Sequence, residues 1–225
     1  MLRERLRAFM QSQSGLPELS TNGRGPSAFA PEHILRAEDF VSRHSNGLDQ
    51  FFSYIKGESG LSILDLAGAN QANVSYITNL GHKIYSEDFL HGLQQGANGD
   101  AQPRVDAFLS QNLSHEDASF DGVLVWDVLE YLSAPLLAAT VERLTRITKP
   151  GSYLFAVFQA QEKAESVPQY SFRIKDSKTL LVADRGPRKP EQIFNNRSLE
   201  KLFHGFESLK FFLARDKLRE VIVRR

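Results

Sequence analysis

Apolar residues change their spacing several times along this chain of 225 residues, and each change marks an element. From Pro31 onward, Ile34, Leu35, Phe40 and Val41 recur at helical spacing, and Leu48, Phe51, Phe52 and Ile55 continue the pattern, so helix is predicted throughout. The period then shortens. Residues 61–66 form a brief apolar run that ends in the turn Ala67-Gly68-Ala69-Asn70, which is how a buried strand entering a loop reads. Val74, Ile77 and Leu80 mark one face of a helix that Gly81 can close in the left-handed conformation. Residues 82–86 make a second strand ending in Glu87-Asp88. Residues 91–103 are rich in Gly and Gln and are expected to be loop, with a short helix at 105–109.

Residues 121–126 are the clearest strand, with Asp127 at the carboxyl end. Ser133 and Pro135 open a helix striped by Leu137, Val141, Leu144 and Thr148. Lys149-Pro150-Gly151 stops it, and the apolar strand 153–158 follows at once. Alternation of strand and helix in this rhythm implies crossover connections and a parallel sheet covered on both faces. The tail is different. Residues 171–174 and 179–183 form a hairpin, and Ser198 is expected to cap a helix bearing Leu199, Leu202, Phe203 and Phe206. The strands at 209–214 and 221–223 are too close in sequence for a parallel crossover and should pair antiparallel. The fold expected is therefore α/β: a Rossmann-like, seven-stranded, mostly parallel sheet with helices on both faces and a C-terminal antiparallel hairpin. Residues 1–30, loaded with Gly, Pro, Ser and Asn, are expected to be a partly flexible arm that could join two copies in a homodimer. Residues 31–225 then form the domain, with a small insertion at about 161–193.

Composition narrows the chemistry. There is no cysteine, which removes disulfides, thiolate nucleophiles and cysteine-ligated zinc. Basic and acidic side chains balance at 27 each, so no excess draws the chain onto nucleic acid. The balance hides an asymmetry: residues 1–160 hold 12 basic and 18 acidic side chains, residues 161–225 hold 15 and 9. Attraction between the two halves is the plain reading, and an anionic substrate or partner the sharper one. No apolar run approaches the roughly 20 residues of a membrane helix, and the N-terminus makes a poor secretory signal, so a cytoplasmic protein is expected. The six histidines are scattered, no metal site is expected, and His115 and His204 read as packing or surface residues.

Ligands of open parallel sheets bind at the carboxyl ends of the strands. Three acidic positions fall there: Asp65, Glu87-Asp88 and Asp127. Asp88 lies 23 residues beyond Asp65, the distance at which a carboxylate after the second strand takes both hydroxyls of a ribose. The loop 67–70 opens a helix whose free N–H groups suit a polar or anionic group. No P-loop, Gly-x-Ser-x-Gly elbow or His-Glu-x-x-His helix occurs, and residues 67–72 lack the glycines of a nicotinamide-binding loop.

This arrangement resembles the class I S-adenosylmethionine-dependent methyltransferases. Residues 63–70 fall on that family's first motif, 85–88 on its second, 119–132 on its fourth-strand motif, and 144–154 on the turn before its fifth strand. The resemblance implies S-adenosylmethionine as cofactor, bound by Asp65, Ala67, Gly68, Ala69, Asn70, Glu87, Asp88, Trp126 and Asp127, and methyl transfer to an unidentified acceptor. It assigns no catalytic residue. The first motif departs from the family: Ala67, Ala69 and Gln71 stand where glycines are usual, and Ser110, Gln111 and Asn112 stand where an adenine-binding acid is expected. A non-catalytic interaction module is the alternative that these departures allow. Tyr170, Arg173 and Arg185, in the insertion, are candidates for substrate contact.

Overall fold

The computed structural model describes residues 35–96, 102–161, 165–214 and 216–225. The expected arm at 1–30 and its dimer contact lie outside the described residues. The elements in chain order are β1 (Val41–His44), α1 (Asn46–Ile55), β2 (Ser62–Asp65), α2 (Gln71–Asn79), β3 (Lys83–Ser86), α3 (Phe89–Gly96) and α4 (Gln102–Asn112). They continue with β4 (Phe120–Trp126), a 3-10 turn (Val128–Tyr131), α5 (Ala134–Ile147), β5 (Thr148–Gln159), β6 (Val167–Asp176), β7 (Thr179–Arg188), α6 (Asn196–Leu202), β8 (Ser208–Leu213) and β9 (Leu218–Arg224).

Six strands form the main sheet in the order β3-β2-β4-β5-β9-β8. The first four run parallel, β9 pairs antiparallel with β5, and β8 pairs antiparallel with β9 as their short connection requires. The parallel strands are joined through α2, through α3 with α4, and through α5. Their carboxyl ends therefore share one edge, where the chemistry should sit.

The expectation of one seven-stranded sheet is corrected by a second sheet. β1, β7 and β6 make a separate three-stranded antiparallel layer. Its strand β1 replaces the helix predicted around Phe40 and Val41. Val41 pairs with Val182 and is 70% exposed, so the apolar spacing there was an accident of two short elements placed end to end. The stretch 91–103, expected as loop, instead carries α3 as far as Gly96, and Ser110, Gln111 and Asn112 lie in α4 rather than after a strand. α6 is capped by Asn195, and Ser198 bonds back from the third position of that helix.

Two apolar clusters occupy the two faces of the sheet. Alternate β4 residues divide between them, as the pleat demands: Val123 and Val125 join one, Leu124 and Trp126 the other. The first holds residues of α3, α4, α5 and α6. The second holds α1, Ile77 of α2, and Phe172, Ile174 and Leu180 of the small sheet. The small sheet thus fills a place that a helix layer would otherwise cover. Arg43 of β1 ties it to the main sheet through ion pairs with Asp216 and with the buried Glu220 of β9.

Candidate active site

The loop after β2 is fastened to the segment after β3. Glu87 N–H donates to the Asp65 carbonyl at 2.8 Å, Gly68 N–H to the Glu87 carbonyl at 3.0 Å, and Phe89 N–H to the Leu66 carbonyl at 3.3 Å. Ala67 and Asp88 form an isolated antiparallel bridge. Gly68 is left-handed (φ 79°), and a Cβ built on it would lie 3.2 Å from the Asp88 side chain. Glycine is required here twice over, for its backbone and for its size. None of Ala67, Ala69 and Gln71 takes a left-handed φ. The glycines missing from this loop are therefore not needed by its backbone. Gln71 is the first residue of α2, and its amide reaches outward to Ser75 Oγ at 2.9 Å.

The predicted residues divide by exposure. Ala67, Ala69 and Asp88 are exposed at the loop surface. Asn70 caps α2, its Oδ1 accepting from Asn73 N–H at 2.9 Å. Asp88 Oδ1 accepts from His91 N–H at 3.0 Å and so begins α3. Glu87 turns elsewhere, to His115 Nε2 at 3.2 Å, where His115 packs against Tyr85 and Phe120. Of the two adjacent acids, Asp88 is the one on the loop.

Asp65 is fully buried and faces inward. Its Oδ1 accepts from Ala67 N–H (3.0 Å) and from Trp126 Nε1–H (2.7 Å), and its Oδ2 accepts from Asn73 Nδ2–H (2.8 Å). Burial raises its pKa, and these three donors work against the rise. Asn73 passes the connection on, its Oδ1 accepting from Ile174 N–H of β6 at 2.8 Å. Trp126 is buried too, stacked on Phe172 at 5.1 Å and nearly parallel. It holds φ 57°, an unfavourable value for a bulky residue, where the β4–β5 register shifts. Asp65 and Trp126 thus hold loop, sheet and hairpin together from inside.

A second group of polar side chains gathers where β4 and β5 end. Asp127 is buried, Tyr170 N–H donates to its Oδ2 at 3.3 Å, and burial pushes its pKa up to about 6. Glu130, one 3-10 turn later, is 2% exposed; its Oε1 accepts from Gln159 N–H at 2.7 Å, and burial pushes its pKa up to about 8. Among the described residues its Oε2 has no hydrogen-bond partner, and neither has the buried hydroxyl of Tyr131. Burial beside these acids raises the Tyr131 pKa as well. Arg188 at the end of β7 places its guanidinium 4.5 Å from the centre of the Tyr131 ring. Sequence reasoning reached Asp127 but missed Glu130, Tyr131 and Arg188. The spacing Asp127-x-x-Glu130 was a usable signal, since residues three apart share one side of a turn. Among the candidates in the insertion, Tyr170 and Arg185 act on Asp127, whereas Arg173 lies over Phe40, 3.8 Å from its ring centre. No cluster of potential metal ligands occurs among the described residues.

Residues 36–207 match the family model described as a methyltransferase domain. The chain belongs to this methyltransferase family. No curated protein matches the chain at a significant level. Among solved structures, a SAM-dependent methyltransferase from Archaeoglobus fulgidus is 12% identical with a TM-score of 0.48, covering 79% of this chain and 91% of its own. A SAM-dependent methyltransferase from Methanosarcina mazei is 15% identical with a TM-score of 0.46, covering 77% and 96%. The 1,6-didemethyltoxoflavin-N1-methyltransferase of Burkholderia thailandensis is 12% identical with a TM-score of 0.46, covering 80% and 76%. At these scores the family assignment stands on the sequence match. Among the described residues no helix is long and apolar enough to cross a membrane.

Proposed function

We propose that this methyltransferase domain binds S-adenosylmethionine across the ends of β2 and β3 and passes its methyl group to an acceptor held near the ends of β4 and β5. The supporting observation is the exposed Asp88 carboxylate locked against Gly68 by the Ala67–Asp88 bridge. A carboxylate is acceptor-only, so it can take both hydroxyl protons of a ribose diol. The exposed Ala69 and the N-terminus of α2 behind it present backbone N–H groups to the polar end of the cofactor. The residues present fit the group. When bound, it supplies an already activated methyl on a sulfonium. The chain's own work is to hold the two partners in line and keep water away. Asp65, Asn73 and Trp126 contribute by fixing the loop, and the hairpin β6–β7 contributes by covering them.

Calorimetry and thermal denaturation with S-adenosylhomocysteine test this reading. A ligand that binds only the folded chain raises its melting temperature by mass action. The expected result is saturable binding with a rise in Tm that Asp88→Ala reduces. A folded chain unmoved by millimolar S-adenosylhomocysteine would assign the domain to a non-catalytic interaction role.

A further inference from the structure

Residues 161–225 carry 15 basic and 9 acidic side chains, and ion pairs with the rest of the chain do not account for the excess. Part of it gathers where the hairpin β6–β7 ends, in Arg185, Arg188 and Lys189. Arg185 and Lys189 are exposed, and Arg188 is half-buried. Arg43, Arg143 and Arg224 are each met by a carboxylate, but among the described residues no ion pair takes Arg188. Its Nη1–H reaches Gln169 Oε1 only at 3.4 Å, and its guanidinium lies over the Tyr131 ring. Burial lowers its pKa, as it does for a cation left without a counterion. Tyr131, beneath it, is 4% exposed, and among the described residues its hydroxyl has no hydrogen-bond partner. A phenol so placed carries a desolvation penalty that folding alone does not require. Arg173 also lacks an ion pair, but it lies over Phe40, which has no polar atom to leave unserved. At Arg188 an unpaired cation and an unpaired donor lie together. The acids nearby do not satisfy them. Asp127 and Glu191 act on Arg188 from beyond ion-pair distance, and Asp127 is shared with Arg185 and with Tyr170 N–H. Burial pushes the Glu130 pKa up to about 8, so Glu130 adds no negative charge at neutral pH.

We propose that Arg188 and the Tyr131 hydroxyl form a binding site, at the end of the hairpin, for the acidic group of a small molecule, a carboxylate or a phosphate. A guanidinium presents a planar fork of N–H donors that matches the oxygens of such a group. One oxygen accepts from Arg188 and another from the Tyr131 O–H, so a single ligand satisfies both groups. The Tyr131 ring holds the fork in place by the attraction of its face for the cation. Arg185 and Lys189 add positive charge at the exposed rim, which draws an anion towards the half-buried Arg188. A neutral ligand gains nothing from the guanidinium, and a cation is repelled by it. The site does not depend on the cofactor reading above. Joined to that reading, it makes the molecule to be methylated an acid, held by its anionic end on β7.

The test uses the full chain at neutral pH and two anionic probes, benzoate and phenyl phosphate, with benzyl alcohol and benzylamine as their neutral and cationic counterparts. All are compared at one ionic strength. Binding is read by saturation-transfer NMR, and melting temperature is followed in the same samples. The expected result is saturable binding of the anionic probes, the tighter one naming the acidic group, and none of the alcohol or the amine. Arg188→Gln should weaken that binding about tenfold, the loss that goes with a hydrogen bond to a charged group. Lys175→Gln, which removes the same charge from the exposed far end of β6, should leave it unchanged. Tyr131→Phe separates binding from structure: deleting an orphan hydroxyl should keep or raise the Tm of the free chain while probe affinity falls. No binding of either anion, equal binding by wild type and Arg188→Gln, or a Tyr131→Phe variant that loses Tm and keeps its affinity overturns the proposal. S-adenosylhomocysteine binding is measured separately: its absence overturns the cofactor reading and leaves the anion site standing, and absence of anion binding does the reverse.

Discussion

Under the proposed function, Gly68 and Asp88 set the cofactor end of the site as a pair. Replacing the carboxylate of Asp88 by a methyl should weaken S-adenosylhomocysteine by about 1.5–3 kcal/mol, the range for a hydrogen bond to a charged group. Because Asp88 also starts α3 through His91 N–H, Asp88→Asn is the sharper variant: it keeps a good cap and loses only the charge. Calorimetry should find both variants weakened; undiminished affinity in Asp88→Asn removes the ribose role. The loop yields a second prediction. Gly68→Ala meets both a left-handed φ and the Asp88 side chain, so it should lower stability by more than about 1 kcal/mol and disturb binding as well. Gln71→Gly, on the exposed first turn of α2, should cost only about 0.4–1 kcal/mol through the unfolded chain and leave affinity where it was. A tenfold gain in affinity for Gln71→Gly would mean that the loop is not suited to the cofactor as it stands. The motif order was legible in the sequence at this scale; the φ values that excuse the missing glycines were not, since alanine does not announce its own backbone angle.

At the scale of elements, the small sheet does what no run of residues foretold. The hairpin 171–183 could be read from its alternation, and it proves longer, from Val167 to Arg188. Its partner β1 could not be read, because four residues give too few periods to separate strand from helix. Nor could the burial of Asp65 be seen, because Asn73 of α2 and Trp126 of β4 reach it from separate elements, with Ile174 of β6 bonded to Asn73 behind them. The sheet's anchor is the stack of Phe172 on Trp126. Phe172 is 2% exposed, so Phe172→Ala should destabilise the chain by about 3–5 kcal/mol. Trp126, the only tryptophan in the chain, reports the change directly: its emission should shift to the red as the cover over it is lost. Equilibrium denaturation and fluorescence together check this. A small loss of stability with unshifted emission would mean that the hairpin does not seal Trp126.

Across the whole molecule, the ion pairs among the described residues do not follow the opposite charges of the two parts of the chain. Of the ion pairs among the described residues, those joining residues before 160 to residues after it are Arg43 with Asp216 and Glu220, and both run against the overall asymmetry. Lys149–Asp121, Arg143–Asp117 and Arg224–Glu207 stay within their own parts. Electrostatics of a different kind should govern stability with pH. Asp127 and Glu130 have ordinary values of 3.8 and 4.5, and burial raises them in the folded chain to about 6 and about 8. Between those limits the folded state holds more protons than the unfolded state. Their contribution is therefore complete in acid, falls as pH rises through each folded value, and levels off above about pH 8. Glu130→Gln removes the larger part of that fall, because a neutral amide can keep the bond from Gln159 N–H at every pH. Melting temperatures of the two proteins should thus diverge from pH 5 to pH 8.5, with the variant gaining on wild type as the solution becomes more alkaline. Parallel curves over that range would mean that Glu130 ionises as an exposed glutamate does, and that the polar group between β4 and β5 is open to water.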